Sequence, residues 1–359
     1  MNIALIFGGK SSEHEISRMS ASAVLKWLVK GSNDDSEKNE ILKLGIDKEG
    51  RWFLTEASPE EIFDGRWEDK NNNRPAYITP DPLAHGMVIL NEDRFIHKKI
   101  DVVIPVLHGD HGEDGDIQGL LNMAEIPYVG CGVATSANSM DKSLTKKIVG
   151  YTKVRQAKYL EIRKKEYLED KEKELLRVKN KFKGNYNIFI KPSSAGSSIG
   201  ASGIKSEAEL PRAIELALKE DKKVLIEEKI VGREIEVAIL GNDEPKASEV
   251  GEILSAGEFY DYDSKYKNPK SRTRIVSDLP RATIDEIRSK AIEIYKALEC
   301  RGLSRVDFFY TEDGEIVFNE INTFPGFTSI SMYPLLWQDR GISGEELIKS
   351  LIELAINQE

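Results

Sequence analysis

Two apolar runs restrict the fold of this chain more than any other feature: the continuous run 2–9 (NIALIFGG) and the strand within 98–109 (KKIDVVIPVLHG) that stops at His108-Gly109. A strand without polar alternation suits the interior of a parallel sheet with helices on both faces. The first run ends in Gly8-Gly9. Ser11, Ser12 and Glu13 then form a helix start, and SRMSASAVLKWLVK (17–30) supplies the helix. EILKLGID (40–47) and RWFLT (51–55) read as further strands, with surface-loop inserts at 31–40 and 68–74. The first third is therefore expected to be a doubly wound α/β unit.

The 359 residues suffice for two or three such units. Hydrophobic residues make up 40% and charged residues 31%, which gives a full core under a well-solvated surface. A net charge of -10 speaks against a nucleic-acid partner. Two distant cysteines, Cys131 and Cys300, are not a disulfide framework and fit a reducing compartment. No apolar run is long enough to span a bilayer. The first residues lack a basic n-region and a cleavage site, so a cytosolic protein without a membrane partner is expected.

The texture changes near residue 140. MDKSLTKKIVG (140–150) starts a helix, and 161–183 reads as a solvated, charged surface helix. A mixed lobe follows, with strands YNIFIKP (186–192) and KVLIEEKI (223–230) around a Ser/Gly loop and a helix at 206–219. Beyond 224 strands dominate: REIEVAILG, ASEVGEIL, LSRVDFFYT and EIVFNEIN. An amphipathic helix, 343–358, closes the chain. The expected divisions are 1–140, 141–223 and 224–359.

Glu320 and Asn322 stand two apart on a strand and share a face. Arg305 and Asp307 do the same on the preceding strand, and TEDGE (311–315) between them is a hairpin turn signal. An antiparallel pair brings Asp307 to Glu320 and Asn322, a hard-oxygen set suited to one or two Mg²⁺ rather than Zn²⁺. The alternative is a polar cross-strand cluster facing solvent. Against it stand the flanking Val306, Phe308, Val317, Phe318 and Ile321, among which bare carboxylates are costly.

IKPSSAGSSIG (190–200) places Lys191 before small residues whose backbone N–H groups can approach a phosphate. It is neither a Walker A motif nor a Rossmann GxGxxG, and a plain flexible loop is the alternative. VLIEEKIVGREIEV (224–237) offers backbone groups for a base edge and Glu234 for ribose hydroxyls, against simple surface glutamates. His108 and His111 match no HxxxH or HExxH zinc pattern. A hydrogen-bonding His108 or a structural turn is expected there. Residues 258–280 form a long aromatic loop, and loops beyond about 12–15 residues are commonly functional lids.

GGKSSEHEIS, LHGDHGEDGDIQG, SMDKS, KPSSAGSSIG, LIEEKIVGREIEVAIL, FYDYDSKY, SRVDFFY and NEINTFPGFTS occur in this order over essentially the whole chain. In this order they resemble the D-alanine–D-alanine ligase family of the ATP-grasp superfamily. The resemblance implies an ATP-grasp fold behind a Rossmann-like N-terminal domain, with ATP and D-alanine as small-molecule ligands. It implies Mg²⁺ (two ions, with Mn²⁺ able to substitute) on Asp307, Glu320 and Asn322. Lys142, Lys191, Glu227 and Glu234 fall where the family binds ATP, and Ser198 where it contacts phosphate. Glu13 matches the carboxylate near the first D-alanine's ammonium, Ser197 and Tyr266 its partners in locking the lid, and His108 a histidine beside that substrate. Lys265 and Ser331 match contacts to the γ-phosphate and the second substrate's carboxylate. Arg305 and the N–H of Gly326 match the oxyanion-stabilising pair. A cytoplasmic homodimer is the family expectation.

The implied reaction passes through D-alanyl phosphate, which the second D-alanine's amine attacks. Ile330 stands where the family often has a histidine, and Ala195-Gly196 where many relatives have Glu or Arg before the glycine. Tyr266 favours an amino-acid acceptor over D-lactate, and D-serine is the alternative second substrate. A nicotinamide oxidoreductase would need a GxGxxG that GGKSSE does not supply. A silent nucleotide-binding regulator would be expected to lack the metal ligands or Arg305.

Overall fold

The computed structural model describes residues 1–31, 39–91, 94–196, 199–254, 272–276, 278–328 and 330–357. Three sheets carry the architecture. The first has seven strands: β1 (Asn2–Gly8), β2 (Glu40–Ile46), β3 (Trp52–Thr55), β4 (Arg74–Ile78), β5 (Gly86–Asn91), β6 (Arg94–Lys99) and β7 (Val102–Val106), in the order β6-β5-β4-β3-β2-β1-β7. Only β2-β1-β7 is parallel. Strands β3 to β6 add an antiparallel meander. The expectation of a doubly wound unit thus holds for the trio and is corrected for the rest.

Alternate residues of β1 enter two cores. Ile3, Leu5 and Phe7 pack with Val24, Leu25 and Leu28 of the helix His14–Gly31, while Ala4 and Ile6 pack with Ile117 and Leu121 of the helix Asp116–Met123. Burial on both faces is what the unbroken apolar run requires. The helix Gly344–Ile356 joins the first of these cores through Leu347, Ile348, Leu351 and Ile352. A capping box of Ser343 and Glu346 starts this helix.

The second sheet runs β10-β9-β11-β8, from β8 (Tyr159–Arg163), β9 (Ile188–Pro192), β10 (Ser202–Ile204) and β11 (Lys223–Glu228). The expected surface helix over 161–183 needs correction at its start. Residues 159–163 pair with β11, and helices follow at Lys164–Glu169 and Lys171–Lys181. Ile162 is fully buried in the lobe's core, and that burial overrides the segment's helical composition.

The third sheet is β14-β13-β12-β15-β16, from β12 (Arg233–Leu240), β13 (Lys246–Leu254), β14 (Arg272–Ile275), β15 (Leu303–Tyr310) and β16 (Ile316–Asn322). Within 258–280, the stretch 272–275 is therefore strand rather than loop. It is held to β13 by its ladder and by Arg274, which with Arg233 grips the buried carboxylate of Glu252. Residues 258–271 and 277 of the expected lid lie outside the described residues.

Candidate active site

The hairpin β15–β16 closes through Thr311 and Glu315, with Gly314 at φ +82° in the turn. Its register sets Arg305 opposite Asn322 and Asp307 opposite Glu320. The register shifts just beyond Asp307, where Phe308 pairs with Phe318 and Asn319 is the extra residue. Such a bulge re-aims the side chains beside it. Asp307 is buried, which removes the solvent-facing alternative.

Arg305 donates to both oxygens of Asp307, Nε to Oδ1 at 2.8 Å and Nη2 to Oδ2 at 2.7 Å. Glu236, opposite Asp307 on β12, lies 3.2 Å from Arg305 Nε. Burial works against the Arg305 cation, but Asp307 and Glu236 outweigh it and raise its pKa well above the ordinary guanidinium value. This fork pre-aims a permanent positive charge.

A second group comes from the helix Lys142–Val149 and strands β9 and β11. Asp141 caps the helix by accepting from the N–H groups of Ser143 and Leu144. Lys142 Nζ donates to the carbonyl of Ala195, at 2.9 Å. Burial lowers its pKa against the pull of Glu320. Lys191 Nζ lies 2.7 Å from Glu227 Oε2, and Lys146 Nζ lies 2.6 Å from Glu227 Oε1.

The third group stands at the carboxyl ends of β1 and β7, where α/β sheets bind ligands. The Glu13 carboxylate lies between two glycines. A Cβ added at Gly196 would come within 2.8 Å of Glu13 Oε2, and one at Gly109, which has φ +71°, within 2.9 Å. His108 is buried, with Nε2 3.1 Å from Ser20 Oγ, and the same hydroxyl accepts from the Phe327 N–H at 3.2 Å. Burial lowers the His108 pKa, so the ring is neutral at pH 7. His111 lies apart, exposed and paired with Asp116 at 2.7 Å. Its ring nitrogen, the half-buried Asp114 and the exposed Asp116 form a cluster at a helix start.

Glu113 accepts from the Gly109 N–H at 2.8 Å. Burial, and then the neighbouring charge of Glu13, pushes its pKa up to about 8. Between its ordinary value of 4.5 and about 8 the folded chain holds a proton that the unfolded chain has lost. Stability is therefore fully present below 4.5 and falls as pH rises to about 8, by up to about 1.4 kcal/mol per pH unit from this group. Denaturant midpoints of the ligand-free protein from pH 5 to 8 should show this slope, and Glu113→Gln should flatten it. Parallel wild-type and variant curves would contradict the assignment.

All three groups meet in one cavity of about 830 Å³. Every described residue singled out from the sequence lines it: Glu13, His108, Lys142, Lys191, Glu227, Glu234, Arg305, Asp307, Glu320, Asn322, Gly326 and Ser331. Ser197, Ser198, Lys265 and Tyr266 lie outside the described residues. Ile330 is on the same wall. Ser331 Oγ accepts from the Thr328 N–H at 3.0 Å and would meet a Cβ at Gly326 at the same distance.

Among the polar cavity residues that the sequence reading did not assign are Glu113, Lys146, Glu236 and Asn319. Two carried a legible signal. Lys146 follows Lys142 by one helical turn, and Glu236 follows Glu234 by two strand positions, so each shares its neighbour's face.

Comparison with known proteins places the chain in a family. The family model described as D-ala D-ala ligase N-terminus matches residues 2–131, and that described as D-ala D-ala ligase C-terminus matches 148–353. The D-alanine–D-alanine ligase of Acetivibrio thermocellus is 47% identical over 99% of this chain and 96% of its own length. That of Clostridium acetobutylicum is 44% identical, covering 99% and 98%. Among solved structures, the VanG D-Ala:D-Ser ligase from Enterococcus faecalis superposes with a TM-score of 0.85 at 38% identity, over 99% of both chains. The D-alanine-D-alanine ligase from Coxiella burnetii gives 0.83 at 34%, over 99% and 94%. Aligned from end to end with these enzymes in sequence and in fold, the chain belongs to the D-alanine–D-alanine ligase family and has its ATP-grasp architecture.

Proposed function

We propose that the chain joins two D-alanine molecules to D-alanyl-D-alanine, driven by ATP, for the peptidoglycan precursor. The observation that carries this is the single cavity in which three chemistries meet: a carboxylate and a buried histidine, a bank of lysines, and a carboxylate–amide hairpin with its arginine. The three sheets support the division into 1–140, 141–223 and 224–359, with the last helix returning to the first sheet. A cytosolic homodimer rests on the family resemblance alone.

Glu13 is assigned to the first D-alanine's ammonium, beside His108, with Ser197 and Tyr266 completing the lock. Lys142, Lys191, Ser198, Glu227, Glu234 and Lys265 are assigned to ATP. The donor set of Asp307, Glu320 and Asn322 fits Mg²⁺, because all three offer hard oxygens and the register sets two of them face to face. Each Asp307 oxygen engaged by Arg305 retains a second lone pair for a metal. Bound there, Mg²⁺ would offset the phosphate charge.

A carboxylate oxygen is a poor leaving group until it is phosphorylated. The first D-alanine's carboxylate takes the γ-phosphoryl group, with ADP leaving and the lysines balancing the charge. The second D-alanine, its carboxylate on Ser331 and Lys265, brings its amine to the acyl carbon. Negative charge then develops on the carbonyl oxygen, towards Arg305 and the Gly326 N–H. Phosphate leaves as the peptide bond forms. The lid assigned to residues 258–271 excludes water from the acyl phosphate.

The test is phosphate release from Mg·ATP with D-alanine alone, or with D-serine or D-lactate beside it, and mass analysis of the product. One phosphate per D-Ala-D-Ala, formed fastest, is expected. A prevailing D-Ala-D-Ser would move the second substrate to that of the VanG enzyme and leave the chemistry intact. No amino-acid-dependent release would overturn the proposal.

A further inference from the structure

Lys146 is 2% exposed and has no part in the chemistry above. It sits on the helix Lys142–Val149 and lines the cavity. Its Nζ is 2.6 Å from Glu227 Oε1 and lies over the Tyr159 ring, 5.6 Å from the centroid. Tyr159 is the residue opposite Glu227 in the β8–β11 ladder. The backbone carbonyl of Lys146 is held by Gln156 Nε2 at 2.9 Å. Lys191 grips the other oxygen of the same carboxylate. Glu227 is itself buried and lines the cavity, and its Oε1 has no directed hydrogen bond.

Taking the proposed assignment of Glu227 to ATP as its basis, we infer that Lys146 determines base specificity by keeping Glu227 an acceptor-only carboxylate turned towards an amino group on the base. An ionised carboxylate offers lone pairs and no proton. A purine with a 6-amino group donates to it. A 6-oxo purine presents a carbonyl instead, and the two acceptors are left unpaired in a dry site. Were Glu227 to take up a proton, its O–H would satisfy the 6-oxo base and the discrimination would vanish. Burial favours that proton, and the charges of Lys191 and Lys146 outweigh burial and keep it off. Each oxygen of the buried carboxylate is matched by one ammonium, Oε2 by Lys191 and Oε1 by Lys146.

The experiment compares kcat/KM for ATP and inosine triphosphate, which differ in the 6-substituent and the N1 proton that accompanies the 6-oxo group, with D-alanine saturating. The wild type, Lys146→Met, Lys146→Arg and Glu227→Gln are measured as full chains. Lys146→Met is expected to lower the ATP-to-ITP ratio by at least about 10-fold, chiefly through a higher KM for ATP. Lys146→Arg retains a cation and should keep the ratio within about 3-fold of wild type. Glu227→Gln should also lower the ratio, because its amide can donate to the oxo group. A ratio that Lys146→Met leaves intact while Glu227→Gln lowers it overturns the role of Lys146 and spares that of Glu227. A ratio unchanged in both removes Glu227 from the base and the inference with it. Where the methionine variant does not fold, Lys146→Gln takes its place, and a wild-type ratio in it is equally fatal.

Discussion

Arg305→Met is expected to lower dipeptide formation by at least about 10³-fold. Removing one oxyanion donor typically costs about 10²–10³ in turnover, and here the donor also carries a full charge. A second loss adds to the first. Arg305 is the cation paired with both Asp307 and Glu236, all three side chains being nearly buried. Without it two carboxylates face each other across the β12–β15 ladder, so unfolding free energy should fall by about 3–5 kcal/mol. Arg305→Lys separates the two effects. It restores a charge but not the two-pronged fork, so stability should recover further than turnover. The checks are steady-state rates at saturating substrates and urea unfolding of the same preparations. A methionine variant within 10-fold of wild-type turnover would exclude Arg305 from the oxyanion site.

Glu320→Gln is expected to raise the Mg²⁺ concentration for half-maximal rate by about 10²-fold or more. Partners outside the ligand shell typically cost 10–100-fold in metal affinity, and Glu320 is proposed as a direct ligand. The substitution preserves shape and a carbonyl oxygen but removes the charge, which hard cations favour most. It also removes the acid that counters burial at Lys142. Lys142 should then lose its proton more readily, and the variant's rate should fall more steeply with rising pH than that of the wild type. A Mg²⁺ titration at pH 7 and pH 8.5 reads both effects. An unchanged half-saturation point would place the metal elsewhere.

Much of this site was legible because its residues follow local periodicities. The two-residue spacing of Arg305–Asp307 and of Glu320–Asn322, with TEDGE between, was enough to foresee the register of β15 and β16. The bulge at Asn319 was not, because nothing in NEIN marks an extra residue until the partner strand is laid beside it. Strands β4 to β6 escaped because their alternation is broken and β6 is an exposed edge, rich in charge. Strand β8 was hidden in a run whose composition favours helix; only pairing with β11 makes it a strand. Glu113 stood in a quoted motif, yet its neutral form depends on burial beside Glu13, which no spacing reveals.

The return of the helix Gly344–Ile356 to the first sheet bears on how the protein is made. Strand β7 ends at Val106, yet the apolar residues that complete its packing are not synthesised until the ribosome has passed residue 347. At about 5–20 residues per second, that interval lasts on the order of 10–50 s. Throughout it the nascent first sheet presents Leu5, Phe7 and Val106 without their final cover. Chaperone demand should therefore peak early in translation, and a ribosome stalled before the last helix should hold a protease-sensitive N-terminal third.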